Sequence, residues 1–317
     1  MMKLRVRSVT WEAEGILSFE LVHPVGDILP AFDAGAHLDV RVPGGLSRRY
    51  SLCGAPGPSR TYRIAVLNVP DSRGGSRAMH ERVRAGDLLE VSEPHNFFPL
   101  DESAHTTLLL AGGIGITPIM AMTERLMHTG KRFQLHYCTR GPERTAFVGR
   151  LEPLIADGTV RLHHDHGDPR NGLDIAGLLR HREEGTHLYY CGPAGFMKAV
   201  REASSHWPEQ AVHSEYFGAE PSNAPVGLQS GAGAELKLAR SGRTVPIAPE
   251  QTILQALRAA GVTCESSCEA GVCGTCELGY TYGEPEHNDQ ILSEDGRRDR
   301  VLVCCARVRE GLVVLDL

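Results

Sequence analysis

Four cysteines are spaced for iron. Cys268-Glu-Ala-Gly-Val-Cys273-Gly-Thr-Cys276, followed much later by Cys304, has the C-x4-C-x2-C…C spacing that presents four thiolates to a [2Fe-2S] cluster. Three ligands from one tight loop need small residues that let the backbone wrap the sulfides, and Gly271 and Gly274 are placed to do so. A structural zinc site would call for paired C-x2-C knuckles, of which there is one, and inert buried thiols are the remaining reading. The spacing favours the cluster. Cys264 and Cys305 are surplus thiols. Cys304 and Cys305 are neighbours, so in a strand they point to opposite faces and only one reaches the iron, with nothing in the residues alone to choose between them.

Two patterns nearer the start suit a flavin. In Arg48-Arg49-Tyr50-Ser51-Leu52, period-two alternation puts Arg48, Tyr50 and Leu52 on one side of a strand. An Arg for negative charge, an aromatic face for stacking and the small hydroxyl of Ser51 would serve an isoalloxazine ring; a solvated edge strand is the plain alternative. Ser72-Arg73-Gly74-Gly75-Ser76 then leads into a helix expected over Ser76 to Arg84. Glycines that expose backbone N–H groups, a helix N-terminus and the Arg73 charge would hold a phosphate, or Ser76 is simply an N-cap.

Two further turns suit a nicotinamide nucleotide. The apolar run Thr107 to Ala111 meets the loop Gly112-Gly113-Ile114-Gly115-Ile116, with Thr117 expected as N-cap and Pro118 as first helical residue. Pyrophosphate could sit there, although Pro118 stands where a third glycine would be in G-x-G-x-x-G. A second strand ends in Cys191-Gly192-Pro193, where a parallel sheet presents its ligand crevice, and a last strand delivers Glu215, Tyr216 and Phe217. His163-His164-Asp165-His166 would bring His164 and His166 to one strand face, but other spaced ligands are missing and no metal is assigned.

The elements that must position these residues fall into three groups, and a chain of 317 residues exceeds what one core usually organises. Residues 1–103 alternate in short runs broken by Gly and Pro, the pattern of an antiparallel β-barrel. Residues 104–218 alternate apolar strands with longer helical segments, including Glu143 to Ala156, as a doubly wound α/β domain does. Residues 219–233, within the Gly-, Pro-, Ser- and Ala-rich run from Gly218 to Gly233, read as a linker. Residues 234–317 return to short strands around one helix, an α+β (β-grasp) plant-type ferredoxin domain. Net charge of −6, with 41% hydrophobic and 23% charged residues, gives no reason to expect nucleic acid. The longest apolar stretch, Leu108 to Met122, is interrupted by glycines and Pro118, which does not suit a membrane span. The start lacks the apolar run of a signal peptide, so a soluble cytoplasmic monomer is expected.

Taken in order, Arg-x-Tyr-Ser-Leu, Gly-Gly-Ile-Gly-Ile-Thr-Pro, Cys-Gly-Pro and the C-terminal cysteines make the chain resemble the FMN- and [2Fe-2S]-containing reductases of two-component Rieske oxygenases, the phthalate dioxygenase reductase and vanillate O-demethylase reductase family. That resemblance implies FMN as the flavin, with Arg48, Tyr50, Ser51 and Leu52 near its ring and Arg73, Gly75 and Ser76 near its phosphate. It implies NADH bound by Gly112, Gly113, Gly115, Thr117, Pro118, Cys191, Gly192 and Pro193. NADPH stays open, since no motif near Arg140 and Asp165 decides the nucleotide. Ser51, Cys191 and Glu215 would surround the hydride-transfer position, and Phe217 would cover the flavin. Cys304 becomes the fourth iron ligand, because the family's ligand precedes a segment like Cys305-Ala306-Arg307 and the closing Val-Leu-Asp-Leu. The implied partner is a separate terminal oxygenase, as this chain has no spacing for an oxygen-activating iron. A reductase for another oxygenase type, such as one acting on quaternary amines, and a flavin and iron–sulfur redox sensor are the alternatives.

Overall fold

The computed structural model describes residues 1–69, 74–217, 234–266, 271, 274–289 and 291–317. It divides into two compact units, Met1–Tyr216 and Phe217–Leu317.

The first unit opens with the short strands β1 (Met2–Ala13), β2 (Ile16–Val22), β3 (Leu29–Phe32), β4 (Ala36–Arg41), β5 (Ser47–Ser51), β6 (Gly57–Ser59), β7 (Thr61–Leu67), β8 (Leu88–Val91) and β9 (His95–Asn96). The main sheet runs β5-β4-β8-β1-β2-β7, with β9 added to β4 and β3 paired to β6. Its pairings are antiparallel. An antiparallel bridge from Leu52 to Ile64 joins the two outer strands and closes the barrel, which removes the exposed edges. Alternate residues such as Leu4, Val6, Phe19, Leu21, Leu38 and Val40 fill the interior, and α1 (Gly75–Arg82) adds Ala78 and Met79.

The same unit continues as a parallel sheet of β10 (Thr106–Gly112), β11 (Phe133–Thr139), β12 (Val160–His164), β13 (Thr186–Cys191) and β14 (Val212–Glu215), in the order β12-β11-β10-β13-β14. Helices α2 (Ile116–Thr129) and α3 (Val148–Ala156) pack on Leu109, Ala111, Leu135 and Tyr189. On the other face α4 (Ile175–Leu179) and α5 (Ala194–Ala203) cover Leu108, Leu110, Leu188 and Tyr190. A strand covered on both faces must be apolar throughout, which accounts for the unbroken Leu108-Leu109-Leu110-Ala111 run. The helix expected from Glu143 is shorter. Pro142–Arg144 form a 3-10 turn and α3 starts at Val148, because Phe147 takes a left-handed conformation at φ 62°. Ala13, Ile16, Cys53, Ala65 and Phe98 of the barrel join Ala111, Ile116 and Cys191 in one core, so barrel and parallel sheet are packed together.

The second unit holds β15 (Ala234–Leu238), β16 (Thr244–Ile247), β17 (Glu277–Tyr282), β18 (Arg300–Leu302) and β19 (Leu312–Leu315), ordered β16-β15-β19-β17-β18. Among the described residues only the β15–β19 pair is parallel, and α6 (Ile253–Ala259) lays Ile253, Leu254, Ala256 and Leu257 on this sheet, a β-grasp arrangement. A capping box starts α6: the Thr252 hydroxyl accepts from the Gln255 N–H and the Gln255 side chain accepts from the Thr252 N–H. Among the described residues no helix is long and apolar enough to cross a membrane.

Candidate functional site

The parallel sheet reverses its order between β10 and β13, and at such a switch point the loops leaving the two strands diverge and open a crevice. Ala111 pairs with Cys191 at the end of these strands. Beyond them the loops touch backbone to backbone. A Cβ on Gly115 would lie 2.1 Å from the Cys191 carbonyl oxygen, and one on Gly192 would lie 3.0 Å from Gly112 Cα. A Cβ on Gly112 would meet Pro193 Cδ at 2.8 Å. Both glycine patterns therefore line one crevice, and glycine is needed where the chains meet. Gly113–Gly115 form a 3-10 turn that runs straight into α2 at Ile116, so the helix starts before the expected N-cap. Thr117 and Pro118 lie inside the first turn and are buried, and the Thr117 hydroxyl donates to the Ile114 carbonyl at 3.0 Å. Pro118 is tolerated because first-turn N–H groups have no helical acceptor. Within this loop Gly113 and Ile114 are partly exposed, while Gly112, Gly115 and Ile116 are buried.

One strand further, β14 places Glu215 opposite Cys191. The Ser51 hydroxyl, from the end of barrel strand β5, donates to Glu215 Oε2 at 3.2 Å. The three residues expected around a hydride-transfer position thus come from three strands and meet at one edge. Burial pushes the Glu215 carboxyl up to about 7, while the Ser51 hydrogen bond and the Arg49 charge pull it back. Burial, and then the Glu215 charge, push the Cys191 thiol well above its ordinary range, so it stays protonated. Phe217 opens the second unit and is 41% exposed.

Strand β5 turns its other face inward. Arg48 and Tyr50 stand opposite Val40 and Leu38 of the barrel core, and Tyr50 packs on that core. Leu52 is fully buried there, and its N–H donates to the Ala36 carbonyl at 2.8 Å. The Arg48 side chain crosses the start of α1, where a Cβ on Gly75 would lie 2.7 Å from Arg48 Nε. Gly74, left-handed at φ 89°, is the N-cap, and the first turn carries no acidic residue. The strand motif and the glycine turn therefore meet at a helix N-terminus suited to an anion. Ser76 is inside α1, its hydroxyl accepting from the Val69 N–H at 3.2 Å. Arg73 lies outside the described residues.

In the second unit Cys276 and Cys304 are buried together in its core, and Cys268 and Cys273 lie outside the described residues. The Gly271 N–H donates to Cys304 Sγ at 3.3 Å. Gly271 has φ +71°, and a Cβ there would meet Cys305 Sγ at 2.6 Å. Strand β18 ends at Leu302, so Cys304 and Cys305 sit in a turn closed by the Cys305 and Ala306 N–H groups on the Leu302 carbonyl. The opposite-face argument for two strand residues does not apply, and both sulfurs approach the same loop.

Comparison with known proteins decides the family. Residues 236–309 match the family described as 2Fe-2S iron-sulfur cluster binding domain. The chain is 44% identical to the tert-butanol monooxygenase / tert-amyl alcohol desaturase reductase subunit of Aquincola tertiaricarbonis, covering 100% of this chain and 96% of that one. It is 42% identical to the vanillate O-demethylase oxidoreductase of Pseudomonas sp. (strain HR199 / DSM 7063), over 100% of both chains. The solved structure of phthalate dioxygenase reductase, described as modular for electron transfer from pyridine nucleotides to [2Fe-2S], superposes with TM-score 0.79 at 41% identity, covering 100% of this chain and 98% of that one. The chain belongs to the phthalate dioxygenase reductase family.

For a reductase of this family, two features lay beyond the sequence motifs. Arg49, one residue from the motif Arg, has a side chain only 13% exposed, 4.0 Å from Asp39 and 5.4 Å above the Phe97 ring. Strand alternation already placed it on the Ser51 face, and the family resemblance set Glu215 beside Ser51; what neither supplied is the Asp39 and Phe97 contacts that hold Arg49 there. The histidine run also differs from expectation. His163 stacks on His136 at 5.1 Å, and His164 Nδ1 contacts the Thr139 hydroxyl at 2.9 Å. His166 leaves the strand with φ 52°, so His164 and His166 do not share a strand face.

Proposed function

We propose that this reductase takes electrons from NADH and passes them, through FMN and a [2Fe-2S] cluster, to a separate terminal oxygenase. The observation that carries this is the meeting of Ser51, Cys191 and Glu215 at the switch-point crevice, in a chain that also holds the cluster cysteines. When bound, the flavin turns a two-electron hydride donor into a source of single electrons, which the cluster can carry.

The protein's own residues place and protect these groups. Arg48 at the α1 N-terminus would hold the FMN phosphate with Gly75 and the Ser76 backbone, where the absence of a Cβ at Gly75 makes room for the Arg48 side chain. Tyr50 and Ser51 border the ring. Gly112, Gly113 and Gly115, together with Gly192 and Pro193, offer backbone to the nucleotide. Glu215 fixes the Ser51 hydroxyl, and Cys191, kept as a thiol, gives the nicotinamide a neutral wall. In the second unit the Gly271 N–H on Cys304 Sγ is the donor that a cluster thiolate uses, which supports Cys268, Cys273, Cys276 and Cys304 as the ligands. The boundaries we assign are 1–103 for flavin, 104–218 for nucleotide and 234–317 for the cluster, and we read the chain as a monomer with NADH preferred over NADPH.

The test is anaerobic mixing of the loaded protein with NADH or NADPH. NADH should bleach flavin and then cluster absorbance, and Ser51→Ala and Cys191→Ala should slow the first phase at least tenfold. Normal rates in both variants would remove those roles. Transfer onward is tested by reduction of purified terminal oxygenases.

A further inference from the structure

The outer face of β4 and β5 carries a polar patch whose register the strand pairing fixes. His37 stands opposite Ser51, and Asp39 opposite Arg49. Residues two apart share a face, so His37, Asp39, Arg49 and Ser51 lie together, away from the barrel core. Ser51 is committed to Glu215 at 3.2 Å, which brings Arg49 one pleat from that carboxylate. The guanidinium is held in place: Asp39 lies 4.0 Å from it and the Phe97 ring 5.4 Å beneath it. Phe97 in turn stacks at 5.5 Å on His37, a buried imidazole with no hydrogen-bond partner among the described residues. A long cationic side chain costs rotamer entropy and hydration when confined in this way, and here its charge acts on Glu215.

We propose that Arg49 is a positioning residue of the hydride-transfer site, holding Glu215 as the carboxylate that accepts the Ser51 hydroxyl. This rests on the reading of Ser51 and Glu215 as site residues given above. The groups facing Glu215 among the described residues are Arg49 and Ser51 from β5, Cys191 from β13 and His213 along its own strand, and Arg49 alone among them carries a permanent positive charge. Behind Arg49 stand Asp39, which keeps it in place, and His37, which burial holds neutral, with His95 paired beyond it. Without the cation, burial favours protonated Glu215, which becomes a hydrogen-bond donor and no longer fixes the direction of the Ser51 hydroxyl. The ionised form also stabilises the positive charge that develops on a nicotinamide ring as its hydride leaves. The hydride and both its electrons pass from dihydronicotinamide to flavin, and no bond forms or breaks at Arg49 or Glu215.

Infrared titration of the full-length, flavin-loaded oxidised protein reads this without turnover, since the carboxyl band missing in Glu215→Gln belongs to Glu215. Arg49→Gln should raise the midpoint of that band by about one pH unit, and Arg49→Lys should leave it near the parent value. The acid limb of NADH-to-flavin hydride transfer should move with it, while KM for NADH changes less than twofold. An unmoved midpoint and limb in folded, flavin-containing Arg49→Gln would show a merely structural role and overturn the proposal. If Arg49→Gln does not accumulate, Asp39→Asn serves: freeing the guanidinium from its anchor should raise the midpoint, and an unchanged or lowered one overturns it. Hydride transfer unaffected by Glu215→Gln would instead remove the underlying site reading, and the proposal with it.

Discussion

Gly115→Ala adds one methyl group at the tightest point of the crevice. Gly115 has ordinary helical backbone angles, φ −59° and ψ −8°, so alanine is compatible with the backbone and the effect is purely steric. Its Cβ would lie 2.1 Å from the Cys191 oxygen, 2.4 Å from the carbonyl carbon and 2.7 Å from Gly192 N. Carbon contacts settle near about 3.5 Å, so the two loops must part by more than about 1 Å. No side-chain rotation can absorb this, because the obstructing atoms are backbone at the end of a strand paired with β10. Overpacking of this kind costs about 1–3 kcal/mol, and in a unit of this size each kcal/mol lowers Tm by about 2–4 °C. A displacement of about 1 Å in a positioned site costs on the order of a hundredfold in rate. Thermal unfolding and anaerobic NADH reduction should therefore both respond, by about 4–8 °C for 2 kcal/mol and by one to two orders of magnitude in rate. Gly149→Ala in α3, where an added Cβ has nothing within 4 Å, is the control and should be neutral or slightly stabilising. The reasoning fails if Gly115→Ala keeps both parental values, or if Gly149→Ala is damaged as severely.

Three further outcomes are expected. The Glu215 pKa rises from 4.5 to about 7 on folding, so between those values the native state binds more protons than the unfolded chain and stability falls as pH rises; Glu215→Gln should gain up to about 3 kcal/mol at pH 8 and almost nothing near pH 4, read by denaturant unfolding at both. Cys304→Ser should lose iron and visible cluster absorbance while Cys305→Ser keeps them, and the reverse pattern would assign the ligand to Cys305. Thr252→Ala removes the side-chain cap of α6 and should cost about 1 kcal/mol of second-unit stability, seen in its denaturation midpoint, with no change in the rate of NADH-to-flavin reduction.

Most of the fold was legible because its signals are local. Period-two runs marked the barrel strands, and the alternation of apolar strands with helices marked the doubly wound sheet. What stayed hidden depends on where backbone enters and leaves an element. Thr117 looked like an N-cap, but a 3-10 turn carried the helix start back to Ile116. Cys304 and Cys305 looked like strand neighbours with opposed side chains, but the strand stops at Leu302. Leu52 belonged to a binding motif by its neighbours, yet the barrel closure at Leu52 and Ile64 buries its side chain. Arg49 went unnoticed because its surroundings, Asp39, Phe97 and Glu215, are brought to it only by the tertiary fold.

That last case shows what fixes the site. Ser51 and Glu215 are 164 positions apart and belong to different sheets, so a 3.2 Å contact between them is only as firm as the packing of barrel against parallel sheet. The shared core does that work from both sides. Cys53, two residues beyond Ser51, and Cys191, paired with Glu215, are buried in the same cluster, together with Ala65 and Phe98 of the barrel and Ala111 and Ile116 of the sheet. The small residues of that cluster let the two sheets approach closely, and close-packed interiors resist the sub-ångström displacements that would separate donor from acceptor. The polar pair therefore needs no long or flexible side chain to span a gap: a serine hydroxyl reaches the carboxylate because the backbone has already been brought there. Preorganisation at this edge follows from apolar packing behind it, and substitutions in that core should register in hydride transfer before they register in flavin content.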